Sequence, residues 1–176
     1  MSFVRPEEIV KRFGLASGMT VADFGCGSGH FSLAASKIVG DRGKIYSLDV
    51  QKNLLEALKS LAELEHIKNI EILWTNLEMG NGSKMADASV DFVIISNILF
   101  QADDKTALAK ETKRILKDKG RVAVIEWNKD GRKIGPASER RISQEEAQDI
   151  FIKEGFKKET DFEAGEGHYG IIFIKK

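Results

Sequence analysis

The strongest constraint on this chain is an end-to-end alternation of strand-like and helix-like segments, with a glycine-rich turn after the first strand. Met19-Thr20-Val21-Ala22-Asp23-Phe24 is rich in β-formers and stops at glycine. A helical run carrying Phe31, Leu33, Ala34, Ala35 and Ile38 follows it and stops at Gly40. Residues 44–48 read as a second strand ending at Asp49, after which Leu54, Leu55, Leu58, Leu61 and Ala62 recur at helical spacing. Residues 70–74, 90–96 and 121–127 are further strands. The run 90–96 is apolar enough to be buried on both faces. Leu108, Ile115 and Leu116 mark a helix, which Lys117, Lys119 and Gly120 are expected to close. Ser143 followed by Glu146 matches a capping box and opens another helix toward Gly155. Two strands near 156–162 and 169–174 complete the order. Ahead of everything, Pro6 with Glu7 and Glu8 starts a short helix expected over about 6–13.

Such alternation predicts an α/β fold, a doubly wound and mostly parallel sheet with helices on both faces and right-handed crossovers. At 176 residues the chain is expected to form a single domain, 1–176, without a lid domain and with enough core to need no metal or disulfide. Ligands in such sheets bind at the carboxyl ends of the strands, where strand order reverses. The loop after the first strand is therefore the expected site.

That loop reads Asp23-Phe24-Gly25-Cys26-Gly27-Ser28-Gly29-His30. Its glycines let the backbone turn and approach a ligand closely, and the helix beginning there offers unpaired N–H groups. A dinucleotide loop would read G-x-G-x-x-G, but its last position is His30, and no Gly-Lys-Ser/Thr follows to make a phosphate loop. Asp49, at the end of the second strand, is placed to accept hydrogen bonds from both hydroxyls of a ribose. The ligand read from these two features contains a nucleoside with a free ribose.

The run Val21 to Gly29 resembles the first motif of class I, Rossmann-like S-adenosylmethionine (SAM)-dependent methyltransferases. The similarity continues through Asp49, Asn76-Leu77-Glu78, Ser89-Val90-Asp91-Phe92, Glu111 with Arg114-Ile115-Leu116-Lys117-Asp118-Lys119-Gly120, and Glu154-Gly155-Phe156. The subgroup it is most similar to contains the ubiquinone and menaquinone C-methyltransferases. The resemblance implies seven strands in the order 3-2-1-4-5-7-6, with strand seven antiparallel. It implies SAM as cofactor, S-adenosylhomocysteine as product, and no metal. It also implies roles for individual residues. Gly25, Cys26, Gly27 and Gly29 would wrap the methionine moiety, with Asp23 supporting its ammonium group. Asp49 would hold the ribose, Val50 and Leu77 would lie against the adenine, and Asn76, where the family often has aspartate, would read the adenine amino group. Ser96 and Asn97 would border the methionine and the transferred methyl.

The acceptor is less legible. His30 after the loop, and His168 with Tyr169 before the last strand, are candidates for a catalytic side chain; each also has a purely structural reading. Asp103 and Asp104 are better explained as a helix cap than as metal ligands. The basic segment 128–141, with Arg132, Lys133, Arg140 and Arg141, is expected to overhang the cleft mouth. Equal numbers of basic and acidic residues, 27 each, give no strong nucleic-acid signature. A single cysteine, Cys26, suits the reducing cytoplasm. No apolar run is long enough to cross a bilayer. The partner expected is a methyl acceptor, small molecule or macromolecule, met by a monomer or homodimer. Two rival readings are a catalytically silent SAM-binding partner and a nicotinamide-dependent Rossmann enzyme.

Overall fold

A computed structural model describes residues 4–79, 81–129 and 135–176. The strands are β1 (Thr20–Phe24), β2 (Lys44–Asp49), β3 (Ile70–Trp74), β4 (Val90–Ser96), β5 (Leu116–Trp127), β6 (Phe156–Glu163) and β7 (His168–Lys175). They form one sheet in the order β3-β2-β1-β4-β5-β7-β6. The pairs from β3 to β5 are parallel, and β7 runs antiparallel to both β5 and β6. This is the doubly wound order implied by the resemblance. Order reverses between β1 and β4, so a cleft opens there at the carboxyl ends of the strands.

The helices are α1 (Pro6–Ile9), α2 (His30–Val39), α3 (Lys52–Leu64), α4 (Lys105–Ile115) and α5 (Gln144–Lys153). Strand alternation sends Val21 to one face of the sheet and Ala22 and Phe24 to the other. The first face is covered by the N-terminal segment and α2, whose Phe13, Phe31, Ala35 and Val39 join Ile45, Phe92, Ile94 and Ile125 in one cluster. Leu33 of α2 and Leu55 and Leu58 of α3 extend that layer. On the second face α4 and α5 bury Leu108, Ile115 and Phe151 against Val93, Ile95, Val124 and Phe173. The Phe151 ring stacks on Phe173 at 5.0 Å and meets Phe156 edge-on at 5.4 Å.

The expected helix caps form. Asp104 accepts the Ala107 N–H at 2.8 Å, and Ser143 with Glu146 makes a reciprocal capping box. Two elements differ from expectation. The first turns read as one helix over 6–13 are a four-residue α-helix that tightens into a 3-10 turn, Val10–Phe13, ended by Gly14 in the left-handed region at φ 62°. Three residues per turn bring Val10 and Phe13 onto one side, and both are buried. Second, Lys117 to Gly120 do not close α4; β5 already begins at Leu116. Leu116 is fully buried and pairs with Val90 across a register shift. That burial outweighs a local stop signal, and Lys117 instead pairs with Asp91 at 2.8 Å.

Candidate functional site

The turn after β1 places Gly25, Gly27 and Gly29 at positive φ, 65°, 53° and 79°. Two of them are also needed for space. A Cβ on Gly25 would collide with Ile98 Cγ2 from beyond β4, and one on Gly29 would collide with Leu58 of α3. Gly27 faces open space. The turn is fixed by Cys26 N–H donating to Leu48 O at 2.9 Å and Gly29 N–H donating to Cys26 O at 2.8 Å.

Asp49 joins this turn to the end of β2. Its Oδ2 accepts the Gly27 N–H at 2.9 Å and its Oδ1 accepts the Gln51 N–H at 2.8 Å. A carboxylate has about four acceptor positions, so each oxygen keeps capacity for a further donor. Asp23, at the end of β1, accepts the Ser32 hydroxyl at 2.6 Å, and Ser32 shares a second short bond with Ser47. Burial pushes the Asp23 carboxyl up to about 7, with the Ser32 bonds opposing it and Asp49 adding repulsion. Trp74 Nε1 donates to Val50 O at 3.0 Å, which holds the Val50 backbone while its side chain stays exposed. Asn76 Oδ1 accepts the Glu78 N–H at 3.0 Å, leaving a second lone pair and the amide NH₂ for a ligand.

These groups surround one cavity of about 580 Å³, a size suited to a nucleoside-bearing cofactor. Asp23, Gly25, Cys26, Gly27, Asp49, Val50, Asn76, Leu77, Ser96 and Asn97 all line it. Gly29 does not; it forms the start of α2 and the contact with Leu58. The Cys26 thiol is pushed up by burial and packs near Leu33, Leu55 and Leu58, away from any nucleophilic role. His30 lines the cavity and is exposed.

His168 and Tyr169 lie elsewhere. His168 is buried against Trp127, ring centres 3.9 Å apart, and Tyr169 donates to the carbonyls of Ile142 and Ser143 at 3.2 Å. Neither reaches the cavity lining: Tyr169 faces the α4–α5 core, and His168, opposite Trp127 in the β5–β7 register, packs on that ring. The basic segment also departs from expectation where it is described. Arg141 is buried, donating to Pro136 O and Asn128 O at 2.9 Å beneath the Trp127 ring. It braces its own loop, and neither it nor Arg140 lines the cavity. Arg132 and Lys133 fall outside the described residues.

Several lining residues carry no motif signal: Val4, Pro6, Phe31, Gln51, Thr75 and Gln101. Gln51 and Thr75 are sequence neighbours of predicted positions, and that adjacency was the available clue; Glu78, within a quoted motif, also lines the cavity. Val4 and Pro6 arrive only through the packing of α1 on α2. The segment Glu111 with Arg114 has a supporting role. Glu111 accepts the Ser83 N–H at 2.8 Å, and Arg114 bonds Glu111 at 2.7 Å and Met85 O at 2.8 Å. This ties down the loop between β3 and β4 that begins with Thr75 and Asn76. Burial works against the Glu111 charge, yet the Arg114 and Ser83 bonds hold it below the usual carboxylate value.

Glu126 near the end of β5 is fully buried, and burial pushes it up to about 7 against several backbone N–H bonds. Asp23 and Glu126 have the same consequence for stability. Each binds its proton more tightly folded than unfolded. Their contribution is therefore complete below the unfolded values of 3.8 and 4.5 and is lost as pH rises through about 7. His168, pushed down by burial, works the other way, one group against two. The ligand-free protein is expected to unfold at higher temperature at pH 5 than at pH 8. Asp23→Asn with Glu126→Gln should flatten that slope; an unchanged slope in calorimetry would show that neither carboxyl carries the effect.

Comparison with known proteins adds the following. A family model described as a methyltransferase domain matches residues 15–169. A demethylmenaquinone methyltransferase of Lactococcus lactis is 36% identical over 119 residues, 66% of this chain and 45% of the relative. A ubiquinone/menaquinone biosynthesis C-methyltransferase of Haemophilus ducreyi is 35% identical over 127 residues, 69% of this chain and 48% of the relative. The chain thus spans about half the length of these curated relatives. A solved SAM-dependent methyltransferase from Aquifex aeolicus superposes with a TM-score of 0.89 at 30% identity, covering 97% of this chain and 89% of that one.

Proposed function

Since this chain belongs to the SAM-dependent methyltransferase family, we propose that it transfers a methyl group from SAM to an acceptor by in-line displacement. The observation that carries the reading is the pair Asp49 and Asp23 in one cavity, the first bonded to the glycine turn and the second buried beside it. The lining suits the cofactor's parts. Asp49 offers carboxylate lone pairs to two ribose hydroxyls, and Asp23 offers a buried negative charge to an ammonium group. Val50 and Leu77 give apolar surface for the adenine, and Asn76 gives an amide for its edge. Ser96 and Asn97, at the end of β4, line the same cavity and are assigned to the methionine end.

SAM supplies a methyl group on a sulfonium, which is already a good leaving group. The residues of this chain then need only hold the acceptor in line and exclude water; positioning alone contributes roughly 7–11 kcal/mol. We assign the acceptor side to Val4, Pro6, His30 and Gln101. His30 is the base to test for an acceptor that must lose a proton. The names of the relatives make an electron-rich quinol ring carbon the first acceptor to try. In this reading the chain works as a single domain, which the match of residues 15–169 to one methyltransferase-domain model supports. Cys26, free and buried, agrees with the cytoplasmic setting expected from composition.

Calorimetric titration with SAM, S-adenosylhomocysteine, NAD and NADH tests the proposal. Binding of the first two alone is the expected result. Binding of the nicotinamide cofactors without SAM would overturn it. Tight SAM binding with no methyl transfer to any acceptor would favour the silent SAM-binding partner.

A further inference from the structure

Glu126 is a charged-type side chain sealed in the sheet, 0% exposed, and the cavity lining does not include it. Its Oε1 accepts the Leu99 N–H at 2.6 Å. The backbone N–H groups of Ile98 and Phe100, in the same turn, also favour the charged form of this carboxyl, against the burial that opposes it. It therefore caps the 3-10 turn that begins just beyond β4, as a carboxylate at a helix start does. That turn follows Asn97 at φ 58°, a left-handed backbone state that asparagine tolerates better than most non-glycine residues. Asn97 N–H donates to Ile125 O at 2.8 Å, one residue before Glu126. The same turn presents Asn97, Ile98 and Gln101 to the cavity, and Ile98 is the side chain that fills the space over Gly25.

We propose that Glu126 is a positioning residue for the cofactor site: its buried carboxyl holds the turn after β4 so that Ile98 sits on Gly25 and Asn97 faces the methionine end. The inference rests on the SAM-binding reading above. A hydrophobic side chain in this place would leave the Leu99 N–H buried and unpaired, which the fold tolerates poorly. Among the described residues, Asn97 Oδ1 and Glu126 Oε2 are buried without a protein partner, while Leu99 of the same turn is packed in the apolar core.

The test compares Glu126→Ala, Glu126→Gln and wild type by amide hydrogen exchange of the ligand-free protein and by titration with S-adenosylhomocysteine. In Glu126→Ala, protection at the Leu99 amide is expected to fall at least tenfold while the β1 and β2 amides keep theirs. The dissociation constant should rise about tenfold. Glutamine retains a carbonyl acceptor, so Glu126→Gln should stay within about threefold of wild type in both readings. A merely space-filling role would instead be met by Glu126→Met, which matches the volume without an oxygen acceptor and is expected to lose protection at Leu99 as alanine does. A folded Glu126→Ala with wild-type exchange at Leu99 and wild-type affinity would overturn the inference. Should the alanine variant fail to fold, Glu126→Asp decides it: the carboxylate is withdrawn by one methylene, and unchanged exchange and affinity would again overturn it. Failure of the wild type itself to bind S-adenosylhomocysteine would count against the cofactor reading, and the exchange at Leu99 would then decide the positioning role alone.

Discussion

Asp49→Ala is expected to weaken S-adenosylhomocysteine binding by roughly 100-fold, and by more if both ribose hydroxyls are held. A hydrogen bond to a charged group contributes about 1.5–3 kcal/mol, and 2.7 kcal/mol corresponds to roughly a hundredfold in dissociation constant. Asp49 also has a structural duty, since it holds the Gly27 N–H and the Gln51 N–H. Its loss frees the glycine turn, and that raises the entropy cost of binding further. The two contributions can be separated. Asp49→Asn keeps one carbonyl oxygen for a backbone N–H but removes the charge and replaces an acceptor with a donor. It should preserve the thermal unfolding temperature better than alanine while still losing most of the affinity. Calorimetry with both variants reads this directly. Near wild-type affinity in Asp49→Ala would remove the ribose role and, with it, the main support for the orientation of the cofactor.

Phe13→Ala should lower the free energy of unfolding by about 3–5 kcal/mol, the range for removing a buried aromatic ring. The ring is 0% exposed and stands at the centre of one core layer. It stacks at 5.1 Å on Phe92 and 6.3 Å on Phe31, and meets Phe162 at 6.4 Å. These contacts join the N-terminal turn to β4, α2 and β6. Such a loss is a large part of the 5–15 kcal/mol that holds most domains folded. Urea unfolding monitored by tryptophan fluorescence and by circular dichroism would measure it. A change below about 1 kcal/mol would mean that the segment from Pro6 to Phe13 is not part of the cooperative unit. The result bears on function, because the same segment carries Val4 and Pro6 to the wall of the cavity.

Much of the site was legible because its chemistry is local. The glycine turn announces itself: three positions must take positive φ within five residues, and few residues other than glycine do so without strain. Asp49 was legible because the end of β2 in this order of elements always lies beside the turn after β1. Asn76, Leu77, Ser96 and Asn97 came only with the family resemblance, and they line the same cavity at the ends of β3 and β4. The strand and helix order was equally plain. Apolar residues at period two or 3.6 record which face is buried, and that face is fixed by covalent geometry.

What the sequence left open depends on contacts between distant segments. Lys117 to Gly120 carry the chemistry of a helix stop, yet they extend β5, because Leu116 gains full burial beside Val90. His168 and Tyr169 are catalytic candidates on paper, but pairing with β5 sets His168 against Trp127 and turns Tyr169 to the α5 side, where it bonds to the carbonyls of Ile142 and Ser143. Arg141 reads as a free cation and is instead a buried brace. Glu126 reads as one residue of a strand and lies 27 positions from the Leu99 amide it caps. Local periodicity and turn chemistry thus determined the fold class and the glycine turn after β1, since each is set by residues a few positions apart, while the strand order came with the family resemblance. Tertiary structure alone decided which polar side chains face the cavity and which satisfy buried backbone, because a buried donor or acceptor must find its partner in space and not along the chain.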